Sequence, residues 1–345
     1  MSSIMFRCEV LTPLFLSGAN GQDAELRPSS IKGLMRFWWR ALNGHFTLSE
    51  LREEEAKIFG CGGEEARRSS FSLRILQDIS SVIIEKKQPL PHHTGKENCE
   101  YLTKPKSCKG IEKFNSNKCQ KGRPISSISS GTFFVELRGK DLERYKNLFE
   151  ITCILGGFGK RSRRGFGSVR ITGMKISGQD EFASYDMLGT LGEIFQLISV
   201  FNADYKLQDD CIILKKPEFL NGKYFEYPYI EDIRIGGKPY SKPNDNDNEE
   251  YIGFELVRTI GAATHFYFDI CKSNGAGKPR FSSPTYISAL NIQNKDKNQI
   301  PREEYYYPII TSLHFAPPPN EISVNSEQLK NNFKRAILEK NIPLD

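Results

Sequence analysis

The sequence predicts an α+β protein, on three observations. Strand-like and helix-like segments follow one another as β-α-β-β-α-β through the first half, the order of a ferredoxin-like unit. A second α+β pattern restarts near Gln179. The composition, 38% hydrophobic and 26% charged over 345 residues, is that of an ordinary soluble protein, and no apolar run approaches the roughly 18 residues a membrane helix needs. Two domains are expected, at 1–178 and 179–345. The first residues lack a basic stretch followed by a long apolar run, so a cytoplasmic protein with no membrane partner is expected.

The elements are justified in order. Phe6 to Thr12 alternates apolar and polar residues as a strand does, and Pro13 ends it. Ser29 or Ser30 can cap a helix from Ile31 to Asn43, closed by Gly44. Ser49 to Phe59 reads as a second helix with a Ser-Glu cap, stopped at Gly60. Ser70 to Leu76 and Ser81 to Glu85 read as strands. Residues 86–123 carry Lys, Asn, Pro, Ser and Gly without apolar periodicity, a long insertion. Thr132 to Arg138 is a strand, Asp141 caps a helix to Leu155, and Ser168 to Ile176 is a strand. Further on, Leu188 to Phe201 reads as a helix, and Cys211 to Leu214, Thr264 to Ile270 and Tyr305 to Phe315 as strands. Asn244 to Glu250 is a polar turn, and Ser326 to Lys340 is a helix with Leu329, Phe333 and Ile337 on one face.

The net charge of +6 does not by itself demand a polyanionic partner, but its distribution is uneven. Ile151 to Gln179 holds no Asp or Glu, while Lys160, Arg161, Arg163, Arg164, Arg170 and Lys175 fall inside it. In the first helix Lys32, Arg36 and Arg40 recur at i, i+4 and i+8 on a face separate from the apolar stripe of Ile31, Leu34, Met35, Trp38 and Leu42. Like charges stacked this way destabilise a helix unless an anion meets them, and no acid lies between Arg27 and Arg40. A solvated charged face is the plain alternative. Trp39, at the border, is a candidate to stack on a base, whereas Trp38 reads as core.

The loop Gly157 to Gly167 pairs two Gly-Phe-Gly segments around Lys160, Arg161, Ser162, Arg163 and Arg164. Glycine lets the main chain approach a phosphate closely, and the cations add attraction and hydrogen bonds, so Gly157, Gly159, Gly165 and Gly167 join the basic residues as a candidate phosphate site. Such contacts position a nucleic acid without reading its bases. Helix-ending glycines would explain the glycines but not the arginines. Phe158 and Phe166 read as core anchors. The loop matches neither G-x-x-x-x-G-K-[ST] nor G-x-G-x-x-G, so a nucleoside triphosphate is not the expected ligand.

No catalytic set is expected, nor a cofactor or metal. Among five histidines His45, just past the basic helix, is best placed for acid-base cleavage of RNA, although a helix C-terminus also favours a His there. His92 and His93 fall in the insertion, while His265 and His314 lie in strand-like runs. Cys99, Cys108 and Cys119 near His92 and His93 offer donors for zinc, but no C-x-x-C pair occurs, and the eight cysteines read as free thiols.

Together the two motifs resemble the RAMP superfamily of CRISPR-associated proteins, whose hallmark is G-hydrophobic-G, five residues, G-hydrophobic-G. Gly157-Phe158-Gly159 and Gly165-Phe166-Gly167 match it without a gap. Leu26 to Arg40 is similar to the first helix of the first-named RAMP subunit of the Cmr, or type III-B, effector complex. The resemblance covers about residues 5 to 178, and Lys278 to Pro284 looks like a degenerate counterpart of the loop in the second half. It implies two tandem ferredoxin-like domains, with crRNA, target single-stranded RNA and other Cmr proteins as partners. It further implies a place near the 3′ portion of the guide, with target cleavage carried by another subunit. The alternative is a metal-independent endoribonuclease that processes CRISPR transcripts through His45.

Overall fold

The computed structural model describes residues 2–87, 125–185, 189–215, 227–241, 253–268, 285–291, 305–314 and 325–339. Of the expected insertion only Lys86 and Lys87 fall within these. His92, His93, the three cysteines near them, the turn Asn244 to Glu250 and the segment Lys278 to Pro284 lie outside the described residues.

The first half is built from β1 (Ser3–Val10), α1 (Pro28–Leu42), α2 (Leu48–Phe59), β2 (Phe71–Ile75), β3 (Ser81–Lys87), β4 (Ile125–Gly139), α3 (Leu142–Leu155), β5 (Val169–Ile176) and β6 (Ala183–Ser184). Burial alternates along β1, with Ile4, Phe6, Cys8 and Val10 turned into the core, as a period of two requires of a strand with one buried face. The sheet runs β2-β4-β1-β5-β6, all neighbours antiparallel, with β3 extending β4 as a hairpin arm. Its central order β2-β4-β1-β5 is that of a ferredoxin-like unit.

The second half adds α4 (Leu191–Ser199), β7 (Tyr205–Gln208), β8 (Cys211–Leu214), β9 (Tyr229–Ile235), β10 (Tyr240–Ser241), α5 (Phe254–Phe268), β11 (Thr285–Asn291), β12 (Tyr305–His314) and α6 (Asn325–Leu338). Its sheet runs β10-β12-β9-β8-β7, and β11 also pairs β12. Within it β11-β12-β9-β8 repeats the order of the first sheet. Here β9 stands where β1 stood, and β8, which precedes β9 in the chain, takes the place of β5.

One hydrophobic cluster crosses between the halves, joining Phe6, Trp38 and Phe149 to Ile230, Ile309 and Tyr286. A second, with Leu256, Ile260, Ile310, Phe333 and Ile337, lies under α5 and α6. Buried hydrogen bonds also cross the junction: Ser288 Oγ donates to the Ile154 carbonyl at 2.7 Å, and Asn202 Nδ2 to the Leu42 carbonyl at 2.9 Å. The junction is therefore packed like a core, and what sits on it is held by both halves. No helix among the described residues is long and apolar enough to cross a membrane.

Three local expectations are corrected. Helix α1 starts at Pro28 rather than Ile31, because proline at the first helical position needs no N–H donor, and neither Ser29 nor Ser30 caps it. Helix α2 is capped by Thr47, whose hydroxyl accepts from the Glu50 N–H while Glu50 reaches back. Thr264 to Phe268 closes α5 instead of forming a strand. Upstream, Leu256, Val257, Ile260 and Ala263 are buried at helical spacing, and the aromatic run that follows continues that helix.

Candidate nucleic-acid interface

Lys32, Arg36 and Arg40 do share one face of α1, but that face meets internal partners. Lys32 Nζ donates to Ser69 Oγ at 2.6 Å and to the Phe71 carbonyl at 3.1 Å, and lies 4.5 Å from the centre of the Phe71 ring. Partial burial, with Arg36 one turn on, lowers its pKa. Arg36 Nε pairs with Glu55 at 3.0 Å and its Nη2 donates to the Gly60 carbonyl. Arg40 makes a two-pronged contact with the same carboxylate, Nη2 donating at 2.5 Å and Nε pairing with the other oxygen. The anion that the stacked cations require is thus Glu55 of α2, and the expectation of an unpaired face awaiting an external anion is corrected. Each guanidinium has further donors beyond these contacts, since Arg carries five.

Trp39 departs from its expected role. Its ring is 1% exposed and packs edge-on against Phe59, which leaves no face for a base. Trp38 is buried in the core as expected.

The glycine loop leaves α3 and returns to β5 across the segment Leu11 to Leu16. Phe158 and Phe166 are buried, the former between Phe133 and Phe149, the latter edge-on to Phe15 at 5.0 Å. The two Gly-Phe-Gly segments cross each other. The Phe158 N–H donates to the Gly167 carbonyl at 2.8 Å, the Lys160 N–H to that of Phe15 at 3.0 Å and the Gly167 N–H to that of Pro13 at 3.0 Å. Thr12 Oγ1 donates to the Gly165 carbonyl at 2.7 Å. A side chain on Gly157 would strike the Phe166 carbonyl, and one on Gly167 the Phe158 backbone, where φ is also +78°. The expectation that these glycines open the main chain to phosphate is therefore corrected for Gly157, Gly165 and Gly167. All three are buried; Gly157 and Gly167 let one loop strand lie against the other, whereas Gly165, at φ +77°, lies against Ile260 of α5. Gly159, partly exposed, packs against Phe15.

The crossing ejects the five residues between the glycines as a short turn. Arg161 has φ +65°, a left-handed conformation that non-glycine residues seldom adopt, and caps a 3-10 turn over Ser162–Arg164. Lys160 and Arg161 are exposed, and Arg163 and Arg164 half-buried. Lys160, Arg161 and Arg163 have no carboxylate partner among the described residues. Arg163 instead places its guanidinium 4.9 Å from the centre of the Tyr286 ring, and the pKa of that phenol is raised by burial against the pull of Arg163.

His45 packs against Phe46 with ring centres 4.2 Å apart and the planes tilted by 46°, and its pKa is lowered by partial burial, against the opposing pull of Asp204 and Glu50. His314 stacks on Tyr229 at 4.9 Å.

The RAMP superfamily model matches residues 7–170, a span that contains both motifs and ends just past the loop. The CRISPR system Cmr subunit Cmr1-2 of Pyrococcus furiosus is 32% identical over 186 residues, covering 50% of this chain and 96% of that one. The chain belongs to the RAMP superfamily. The crystal structure of apo Cmr1 from Pyrococcus furiosus matches with a TM-score of 0.52 at 17% identity, over 98% of this chain and 96% of that one, so the likeness in fold runs through the second half as well.

In this RAMP protein the second half contributes residues that sequence reasoning missed. Tyr286 of β11 clasps the loop through Arg163, and Tyr227, just ahead of β9, lies 5.1 Å from the guanidinium of Arg40. Neither has a local signal, because each meets its arginine only across the junction. Glu55 did carry one: it falls on the side of α2 that buries Leu51, Ile58 and Phe59, where an acid is uncommon without a partner.

Proposed function

We propose that this chain is a non-catalytic RNA-binding subunit of a type III-B CRISPR (Cmr) effector complex, working in the cytoplasm with other Cmr proteins and helping to hold the 3′ region of the crRNA and the target RNA. The observation that carries the reading is the turn after α3, packed against both halves, on which the exposed Lys160 and Arg161 meet no carboxylate among the described residues. Cations held in that way suit phosphates, which bind with a strong salt dependence and without regard to sequence. The relative Cmr1-2, a subunit of a CRISPR system, supports the setting.

Titrating single-stranded and guide-paired RNA against the full chain at several salt concentrations tests it. The wild-type chain is expected to bind with a steep salt slope, and Lys160→Ala/Arg161→Ala to lower that slope by about 1.4, the value for two single-strand phosphate contacts. Equal affinity and slope in a folded variant would overturn the assignment. Repeat RNA incubated without metal is expected to stay intact. Discrete cuts that vanish in His45→Ala would make the chain an enzyme.

A further inference from the structure

The two cationic regions are joined by a band of aromatic rings lying across the junction of the halves. The centre of the Tyr227 ring stands 5.1 Å from the Arg40 guanidinium. Tyr286 stands 4.9 Å from that of Arg163. Phe37 of α1 packs on Tyr286 at 5.4 Å, and Trp38 closes the cluster at 5.1 Å from the same ring. Phe37 and Arg40 lie one turn apart on α1, so the Tyr227–Arg40 and Tyr286–Phe37 contacts fall within one turn of that helix. Its members differ in access. Trp38 and Tyr286 are buried, at 0% and 6% exposure, whereas Phe37 and Tyr227 are half-buried.

Half-exposed rings between arginines form a recurring platform for unpaired nucleic acid. The cations take the backbone, and the rings take bases of any identity, since every base has a π-face. We propose that Tyr227 and Phe37 form a base-stacking step for single-stranded RNA between the Arg40 and Arg163 phosphate contacts. In this assignment the second half supplies the stacking residue that Trp39 cannot be. The proposal rests on the RNA-binding reading given above, and it assigns the junction itself as the path of the strand.

The test uses the full chain and a single-stranded RNA carrying 2-aminopurine, read by anisotropy for affinity and by emission for stacking. Tyr227→Leu keeps an apolar side chain against the core and removes the ring, while Tyr227→Phe keeps the ring and removes the hydroxyl. Wild type and Tyr227→Phe are expected to quench 2-aminopurine alike. Tyr227→Leu is expected to lose the quenching and to bind about 10-fold more weakly, within the range for one stacked base, with an unchanged salt slope. Phe37→Leu should show a smaller loss of the same kind. A fall in salt slope with Tyr227→Leu would mean that the residue acts by placing Arg40, and would overturn the stacking role. Unchanged quenching would overturn it as well. Failure of the wild-type chain to bind any RNA would overturn the underlying reading and the stacking step together, and is distinguished by the unmutated control.

Discussion

The face of α1 and the turn after α3 both concentrate positive charge, three cations at helical spacing on one and four within five residues on the other, yet they stand in opposite electrostatic conditions. On α1 the cations are met from within: Glu55 pairs with both Arg36 and Arg40, and Lys32 lies among Ser69, the Phe71 carbonyl and the Phe71 ring. In the turn, Lys160, Arg161 and Arg163 meet no carboxylate among the described residues, and the one clasp that holds Arg163 is an aromatic ring. A guanidinium already paired with a buried carboxylate adds less to the outward potential than one that is not, so the turn is the stronger attractor of phosphate. Charge counted along a chain reports how many cations there are. How many remain to face a ligand depends on what the fold packs beside them.

The largest expected effect concerns how the turn is held. Gly167→Val would place a β-branched side chain into the Phe158 backbone at a positive φ, and should cost more than about 4 kcal/mol, seen as loss of the cooperative thermal transition. Near-normal melting of that variant would mean that the crossing of the Gly-Phe-Gly segments is not what fixes the turn. Next, Arg36→Ala/Arg40→Ala leaves the Glu55 carboxylate buried and unpaired, with an expected loss of about 3 kcal/mol, near the low end for a broken buried pair because the arginine side chains are 37% and 30% exposed. Adding Glu55→Gln should restore much of the melting temperature. RNA affinity lost in the double variant and still lost in the stable triple variant would promote the α1 face to a ligand contact equal to the turn.

Smaller effects sharpen the same contrast. Glu55→Gln alone should lower the melting temperature and tighten RNA binding several-fold at low salt, since it frees two guanidinium groups; weakened binding would show that Glu55 chiefly orients them. The smallest effect is one of pH. Glu150 of α3 is buried and accepts a hydrogen bond from the Tyr185 hydroxyl at 2.5 Å, and burial raises its pKa above the usual carboxylate value. The folded state therefore favours its protonated form, and the stability it contributes is fully present below the unfolded-state pKa and declines as pH rises through the folded-state value. Glu150→Gln should flatten that decline in melting temperature measured across the mildly acidic range.

Several features were legible without the fold because their cause is local. Alternation along β1, β2 and β5 and the apolar period of α1 and α6 are each a few residues long and answer to backbone geometry. The pairing of two Gly-Phe-Gly segments around five residues was legible too, and its phenylalanines are buried where expected. Misread elements had competing local causes. In α5 an aromatic run after Thr264 carries strand propensity, while the helix is set by the buried positions before it.

The sequence by itself determined the strand and helix periods of the first half, the glycine spacing and the local excess of arginine, because backbone geometry and composition act over a few residues. Only the tertiary structure decided that Trp39 is core, that Glu55 answers Arg36 and Arg40, that Gly157 and Gly167 serve the crossing of the loop with itself, and that Tyr227 and Tyr286 reach arginines of the first half. Those facts depend on surfaces far apart in the chain meeting at one packed junction, where burial and nearest neighbours set the availability of each charge and ring.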